Sequence, residues 1–114
     1  MAIQTVAMRN LLVDAYKAAA LYGALYTTAP SGTPGTEVSG GAPAYARKSL
    51  SWSATSASSS NCTPVFDVPS GTTVVGAGVH SAVTAGTYYD GGNVTSQAFA
   101  SQGTYTLTIT YTQS

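Results

Sequence analysis

The sequence predicts a mainly β protein, a small antiparallel β-sandwich or barrel with one N-terminal α-helix. Three observations predict it. Near the C-terminus Tyr105, Leu107, Ile109 and Tyr111 alternate with Thr104, Thr106, Thr108, Thr110 and Thr112, a period of two that puts apolar side chains on one face and threonines on the other. From Thr63 onward, short apolar runs bounded by Gly, Pro and Ser recur about every ten residues. Only residues 4–20 carry the three- and four-residue spacing of a helix.

In the helix, Met8, Leu11, Leu12, Ala15, Ala19 and Tyr22 form an apolar stripe, expected to lie on a sheet. Arg9, Asn10, Asp14 and Lys17 fall mostly off it, and Ala18 to Ala20 are strong helix formers. Gly23 reads as the exit from helical structure, inside an apolar segment, Leu21 to Thr28, that suits a strand. Residues 29–43 are punctuated by Pro and Gly throughout and read as one long loop. A loop of that length in a compact domain is functional or mobile, so it is a candidate docking segment together with the helix.

The remainder, 44–114, reads as a β meander. Tyr45 to Ala54 is expected as a strand carrying Tyr45, Leu50 and Trp52, followed by a polar loop from Thr55 to Asn61. Val65, Phe66 and Val68 make a short strand, and Pro69-Ser70-Gly71-Thr72 a turn with glycine where a positive φ is needed. Thr73 to Ala82 is the next strand, with Val75, Ala77 and Val79 on one face and His80 opposite. Thr84-Ala85-Gly86 turns the chain, and Asp90-Gly91-Gly92-Asn93 reads as a hairpin turn between Thr87–Tyr89 and Val94–Ala100. The whole chain, 1–114, forms one domain.

Composition narrows the function. Charged residues are 7 % of the chain, where roughly 25 % is usual, and four cations balance four carboxylates. No basic footprint exists for nucleic acid, and no polybasic patch for a membrane surface. No run of about 20 apolar residues is present to span a bilayer. Ser and Thr supply about a quarter of the residues, yet hydrophobicity is high and net charge zero, which argues for an ordered, Thr-rich β protein. A net charge near zero promotes association, so the surface is expected to be covered by copies or partners. The N-terminus lacks the basic and apolar regions of a signal peptide, so synthesis in the cytoplasm is expected.

No catalytic, cofactor-binding or metal-binding residues are expected. His80 is the single histidine, without a nucleophile or orienting acid in any triad pattern, and reads as a solvent-facing or interface residue. Cys62 is alone, which excludes an intrachain disulfide and a cysteine-type metal site, and leaves a buried thiol. Gly40-Gly41 and Gly91-Gly92 lack the Lys-Ser/Thr of a phosphate loop, and the Asp90 segment lacks the ligand series of a calcium loop. The candidate interface residues are Glu37, Tyr45, Arg47, Tyr88 and Tyr89. Tyrosine buries area while keeping a polar tip. Arg47 can stack on Tyr45 or grip Glu37 through two parallel hydrogen bonds. Tyr88 and Tyr89 must face opposite ways in a strand, so one of them looks outward.

A set of short motifs resembles a known group. The helix around Asn10-Leu11-Leu12-Val13-Asp14-Ala15-Tyr16 precedes Leu25-Tyr26-Thr27-Thr28, then Ala29-Pro30 and a Gly/Thr loop. Glu37-Val38-Ser39-Gly40-Gly41 leads to Tyr45-Ala46-Arg47, and Phe66-Asp67-Val68-Pro69-Ser70-Gly71-Thr72 opens the meander. This resembles small virion proteins of tailed bacteriophages, of the kind labelled tail fibre or minor tail protein and related to capsid decoration proteins. The resemblance implies a non-enzymatic structural protein located in the virion. The expectation is an oligomeric decoration protein on the head surface, the chain being short for a fibre shaft. Its partners would be copies of itself, a trimer being one candidate state, and major capsid or tail proteins. The alternatives are a minor tail or fibre-associated protein, and a module that binds host glycans.

Overall fold

The computed structural model describes residues 3–114. Helix α1 (Val6–Ala19) starts at Thr5, whose hydroxyl accepts from the Met8 amide at 3.2 Å. That cap satisfies a donor the helix leaves orphaned. The helix closes at Ala20, and strand β1 (Tyr22–Tyr26) follows at once, so Gly23 lies buried inside a strand rather than at the helix exit.

Seven further strands follow: β2 (Lys48–Ser49), β3 (Ser59–Cys62), β4 (Val65–Val68), β5 (Thr72–His80), β6 (Tyr88–Phe99), β7 (Gly103–Thr106) and β8 (Ile109–Thr112). They make two layers. The first is an antiparallel sheet in the order β2-β1-β5-β6. The second is a two-stranded ribbon, β3 against β8 and β4 against β7. One register runs through the ribbon, with Cys62 opposite Ile109 and Val65 opposite Thr106. The Leu107 amide donates to the Pro64 carbonyl at 2.9 Å between them. Pro64 has no N–H to give the ladder, so the expected single C-terminal strand is interrupted at Leu107–Thr108. Its alternation survives the break: Leu107 is buried, Tyr105, Ile109 and Tyr111 are half-buried, and the threonines are exposed.

The core lies between the layers. Leu25, Val74, Ala77 and Phe99 come from the sheet, Phe66, Val68 and Leu107 from the ribbon, and Val38 from the 29–43 segment. That segment is fastened to β1: the Thr27 amide donates to Thr36 and the Val38 amide to Leu25, at 2.8 and 3.1 Å. Molecular extents are 47 × 25 × 25 Å, an elongated body.

Other expectations change. The β meander expected over 44–114 does not form, since β3 pairs with β8 and β4 with β7. The polar loop expected from Thr55 to Asn61 gives way to β3 at Ser59. The strand expected over Tyr45 to Ala54 shrinks to β2, because β1 offers it partners only at Tyr22 and Gly23. The hairpin expected at Asp90-Gly91-Gly92-Asn93 does not form, and β6 runs straight through it with Gly91 opposite Gly78 and Gly92 opposite Ala77. Glycine is there for proximity rather than for turning. A Cβ on Gly91 would meet the Tyr88 hydroxyl and the Ala77 carbonyl oxygen, the latter at 2.8 Å. The reversal lies at the preceding turn, where Ala85 and Gly86 take φ of 53° and 72° and the Ser81 amide donates to Thr87. His80 does not face solvent and is 3 % exposed. It ends β5, the strand flanked by both β1 and β6, whose last five residues are buried on both faces. The turn at Gly71, with φ 76°, is as the sequence indicates.

Candidate functional site

Three of the sequence-selected residues meet at one end of the sheet. Glu37 is set by an isolated bridge to Tyr26, the last residue of β1, and Arg47 lies just before β2. The Arg47 guanidinium grips both Glu37 oxygens, Nε to Oε2 and Nη2 to Oε1, each at 2.9 Å. The Tyr45 hydroxyl donates to Glu37 Oε2 at 2.8 Å and accepts from the Leu25 amide at 3.0 Å. Arg47 Nη1 also donates to the carbonyls of Ala82 and Ala85, at 3.0 and 2.8 Å. The knot therefore ties the 29–43 segment and the β5–β6 turn to one ion pair. The hydrogen bonds from Arg47 and Tyr45 outweigh burial and hold the Glu37 carboxyl below its ordinary value. Burial and the neighbouring carboxylate push the Tyr45 phenol up. The Glu37–Arg47 grip thus closes within one chain. It lines a shallow cleft of about 280 Å³ beside Val83, Thr84 and Ala85.

Tyr88 and Tyr89 part as their strand period requires. Tyr88 is half-buried and turns inward, its ring 5.5 Å from that of His80 and 6.5 Å from that of Tyr26. Tyr89 is 53 % exposed. Burial lowers the pKa of His80, and its Nε2 shares a hydrogen bond with the Tyr26 hydroxyl. No exposed row of aromatics results from this pair.

Sequence reasoning misplaced the surface that stands out most. The apolar stripe of α1 does not lie on a sheet. Met8 is 49 % exposed, Leu11 61 %, Leu12 37 %, and Val13 is the one buried residue of the helix. The helix is held by its other face. Arg9 Nε donates to the Ser58 hydroxyl at 2.9 Å, and the Ser58 amide to the Asn10 side chain at 2.9 Å. Lys17 donates to the Ser53 carbonyl and the Thr55 hydroxyl, at 2.9 and 3.0 Å, and that hydroxyl donates to Asp14. Tyr16 stacks on Tyr111 at 3.9 Å and donates to Asp90 at 2.8 Å. The signal that could have found this arrangement is the Ser/Thr-rich segment from Ser53 to Ser60, which offers the helix hydrogen-bond partners.

A second open surface is the outer edge of β6. It is the last strand of its sheet and faces β7 and β8 across a groove. One part of the groove, about 290 Å³, has Tyr16 and Tyr111 at its wall and Gly91 and Gly92 on β6. Lys48 lies 4.0 Å from Asp67. With the pairs above, all four cations and all four carboxylates of the sequence are therefore engaged within the chain.

Cys62 is 4 % exposed, and burial raises its thiol to about 11, which keeps it protonated and inert. Among the described residues no group of three or more His, Cys, Asp or Glu gathers to hold a metal. Among the same residues no helix is long and apolar enough to cross a membrane.

No curated protein and no solved structure matches the chain. A family model described as podophage GP4 fiber I protein gp80 matches residues 5–113, which takes in α1, the Glu37–Arg47 knot and every strand. By that match the chain belongs to the podophage GP4 fiber I protein gp80 family.

Proposed function

We propose that the protein is a non-enzymatic structural component of a tailed-phage virion, associated with a tail fibre. The family match over residues 5–113 carries this reading. The elongated body and the charge-poor, partly apolar surfaces support it, since such surfaces suit permanent contact with neighbours rather than free solution. Its partners in this reading are copies of itself and tail proteins. The family description names a fibre, so a place on a tail appendage has more behind it than one on the head surface. A glycan-binding module would draw on a row of exposed aromatics, and Tyr88 turns inward away from Tyr89.

Purified particles test the proposal by two measurements, copy number by quantitative mass spectrometry and position by antibody labelling in the electron microscope. The expected result is label confined to tail appendages and a copy number far below that of the major capsid protein. Label spread over the head with capsid-like copy number overturns the fibre placement in favour of decoration. Absence from washed particles overturns the virion reading altogether.

A further inference from the structure

We infer that β6 is a self-pairing edge, joining antiparallel to β6 of a second copy of this chain about a two-fold axis at Asn93. The inference deepens the reading of the protein as a multi-copy component. Its test uses the purified protein, so it can fail while the placement in the particle stands.

β6 ends its sheet, and among the described residues no strand lies on its outer side. Such an edge offers unpaired N–H and C=O groups, whose complement is another strand. Two of these groups are met by side chains instead. The Gly91 amide donates to Asp90 Oδ1 at 2.8 Å, and the Thr95 carbonyl accepts from the Tyr105 hydroxyl at 3.1 Å. Outward groups recur at every second residue of a strand, so Asn93, between them, turns its own N–H and C=O to the open side. An antiparallel copy centred on Asn93 uses all three residues. Asn93 exchanges bonds with its own equivalent, and Gly91 with Thr95 of the second copy. The donor and the acceptor now held by side chains become each other's partners.

The side chains choose the same register. Gly92 lies opposite Ala77, a core residue, so it belongs to the inner face of the sheet. A Cβ there would meet nothing within 4 Å, and its φ is not left-handed, so the fold of the single chain does not call for glycine. Glycine inside a strand marks the close approach of something else. Val94 is half-buried and packs against the same core. With Asn93 on the axis, Val94 of each copy lies opposite Gly92 of the other and covers it. The inner faces of the two sheets then lie on one side, and a shift of one residue would set inner faces against outer ones.

Charge agrees. From Gly91 to Ser114 the chain has no charged residue and no proline, two of the devices that keep strand edges apart. Asp90 is held by the Tyr16 hydroxyl at 2.8 Å and lies opposite Ser96 of the second copy. The two Asp90 residues are about 20 Å apart along the paired strands. Affinity in strand addition comes from main-chain hydrogen bonds rather than from a large apolar patch. The paired stretch is short, so the dimer is reversible and is strengthened where copies are held side by side.

Sedimentation of the full chain over a concentration series is the first test. A dimer that dissociates on dilution is expected. Asn93→Lys sets like charges face to face at the axis, and should give a monomer. Its side chain is exposed in the single chain, so the melting temperature should not change. A chain still monomeric at about 100 µM overturns the inference, since a micromolar pair would be populated there. A dimer that survives Asn93→Lys overturns it, as does a trimer. Register is read with a short bismaleimide on variants carrying Cys62→Ala. Asn93→Cys should join to its own copy and Gln97→Cys should not. Joining through Gln97→Cys without Asn93→Cys overturns the axis.

Discussion

The Glu37–Arg47 knot allows a test whose size follows from its geometry. Arg47→Ala removes two bonds to the carboxylate and two to the carbonyls of Ala82 and Ala85. Breaking a buried ion pair from one side costs about 3–5 kcal/mol, mostly through the charge left unpaired. The Glu37 side chain keeps 29 % exposure, so water recovers part of that, and about 2–3 kcal/mol is expected. For a domain of this size the melting temperature should fall by about 10 °C. Arg47→Lys should recover only part, because an ammonium cannot hold both carboxylate oxygens and both carbonyls together. The assay is thermal unfolding followed by circular dichroism. The pH dependence has a definite sign. Glu37 titrates below its ordinary value when folded, so the knot's contribution is complete above the unfolded value. It is lost as pH falls through the lowered folded value. The gap between wild type and Arg47→Ala should therefore narrow in acid. A melting temperature within about 2 °C of wild type at neutral pH would refute the reasoning, since that is under 1 kcal/mol.

Three other outcomes are expected. Burial lowers the folded pKa of His80, so the unfolded chain takes the proton first and stability falls as pH drops below about 6.5; His80→Gln should flatten that slope in denaturant titrations between pH 5 and 6.5. Gly91→Ala should cost about 1–3 kcal/mol through collision with Tyr88 and the Ala77 carbonyl, whereas Gly92→Ala, with nothing near its Cβ, should be neutral or slightly stabilising. Equal losses at both would restore the hairpin turn. Cys62 should resist a thiol reagent at pH 8 until denaturant is added, and fast labelling of the native protein would contradict its burial.

Local periodicity carried most of the fold. Alternation from Tyr105 to Tyr111, the helix near 4–20, the Gly71 turn and the Val65–Val68 strand are all local facts, and the structure keeps them. The misses are tertiary. Gly91-Gly92 looks the same in sequence whether it turns or makes room, and only the Tyr88 ring beside it decides. His80 follows a run that reads as one-faced, but it ends the strand that β1 and β6 enclose. Glu37, Tyr45 and Arg47 were legible as a group, while their closure within one chain depends on the 29–43 segment folding back on β1.

The helix shows why periodicity finds a stripe but not its partner. Fully burying Met8, Leu11 and Leu12 would contribute about 1.5–3 kcal/mol each, but only against another apolar surface. The body next to α1 presents Ser53, Thr55 and Ser58 instead. Against that bed Arg9, Asn10, Asp14, Lys17 and Tyr16 find partners, each hydrogen bond contributing about 0.5–1.5 kcal/mol. Turning the helix over would forfeit those bonds, the burial of Val13 and the stacking of Tyr16 on Tyr111. Within one chain, therefore, the polar face inward is the stable arrangement, and Met8, Leu11 and Leu12 stay exposed. The same logic explains the composition. A chain with eight charged groups, all engaged internally, has little to keep it dispersed.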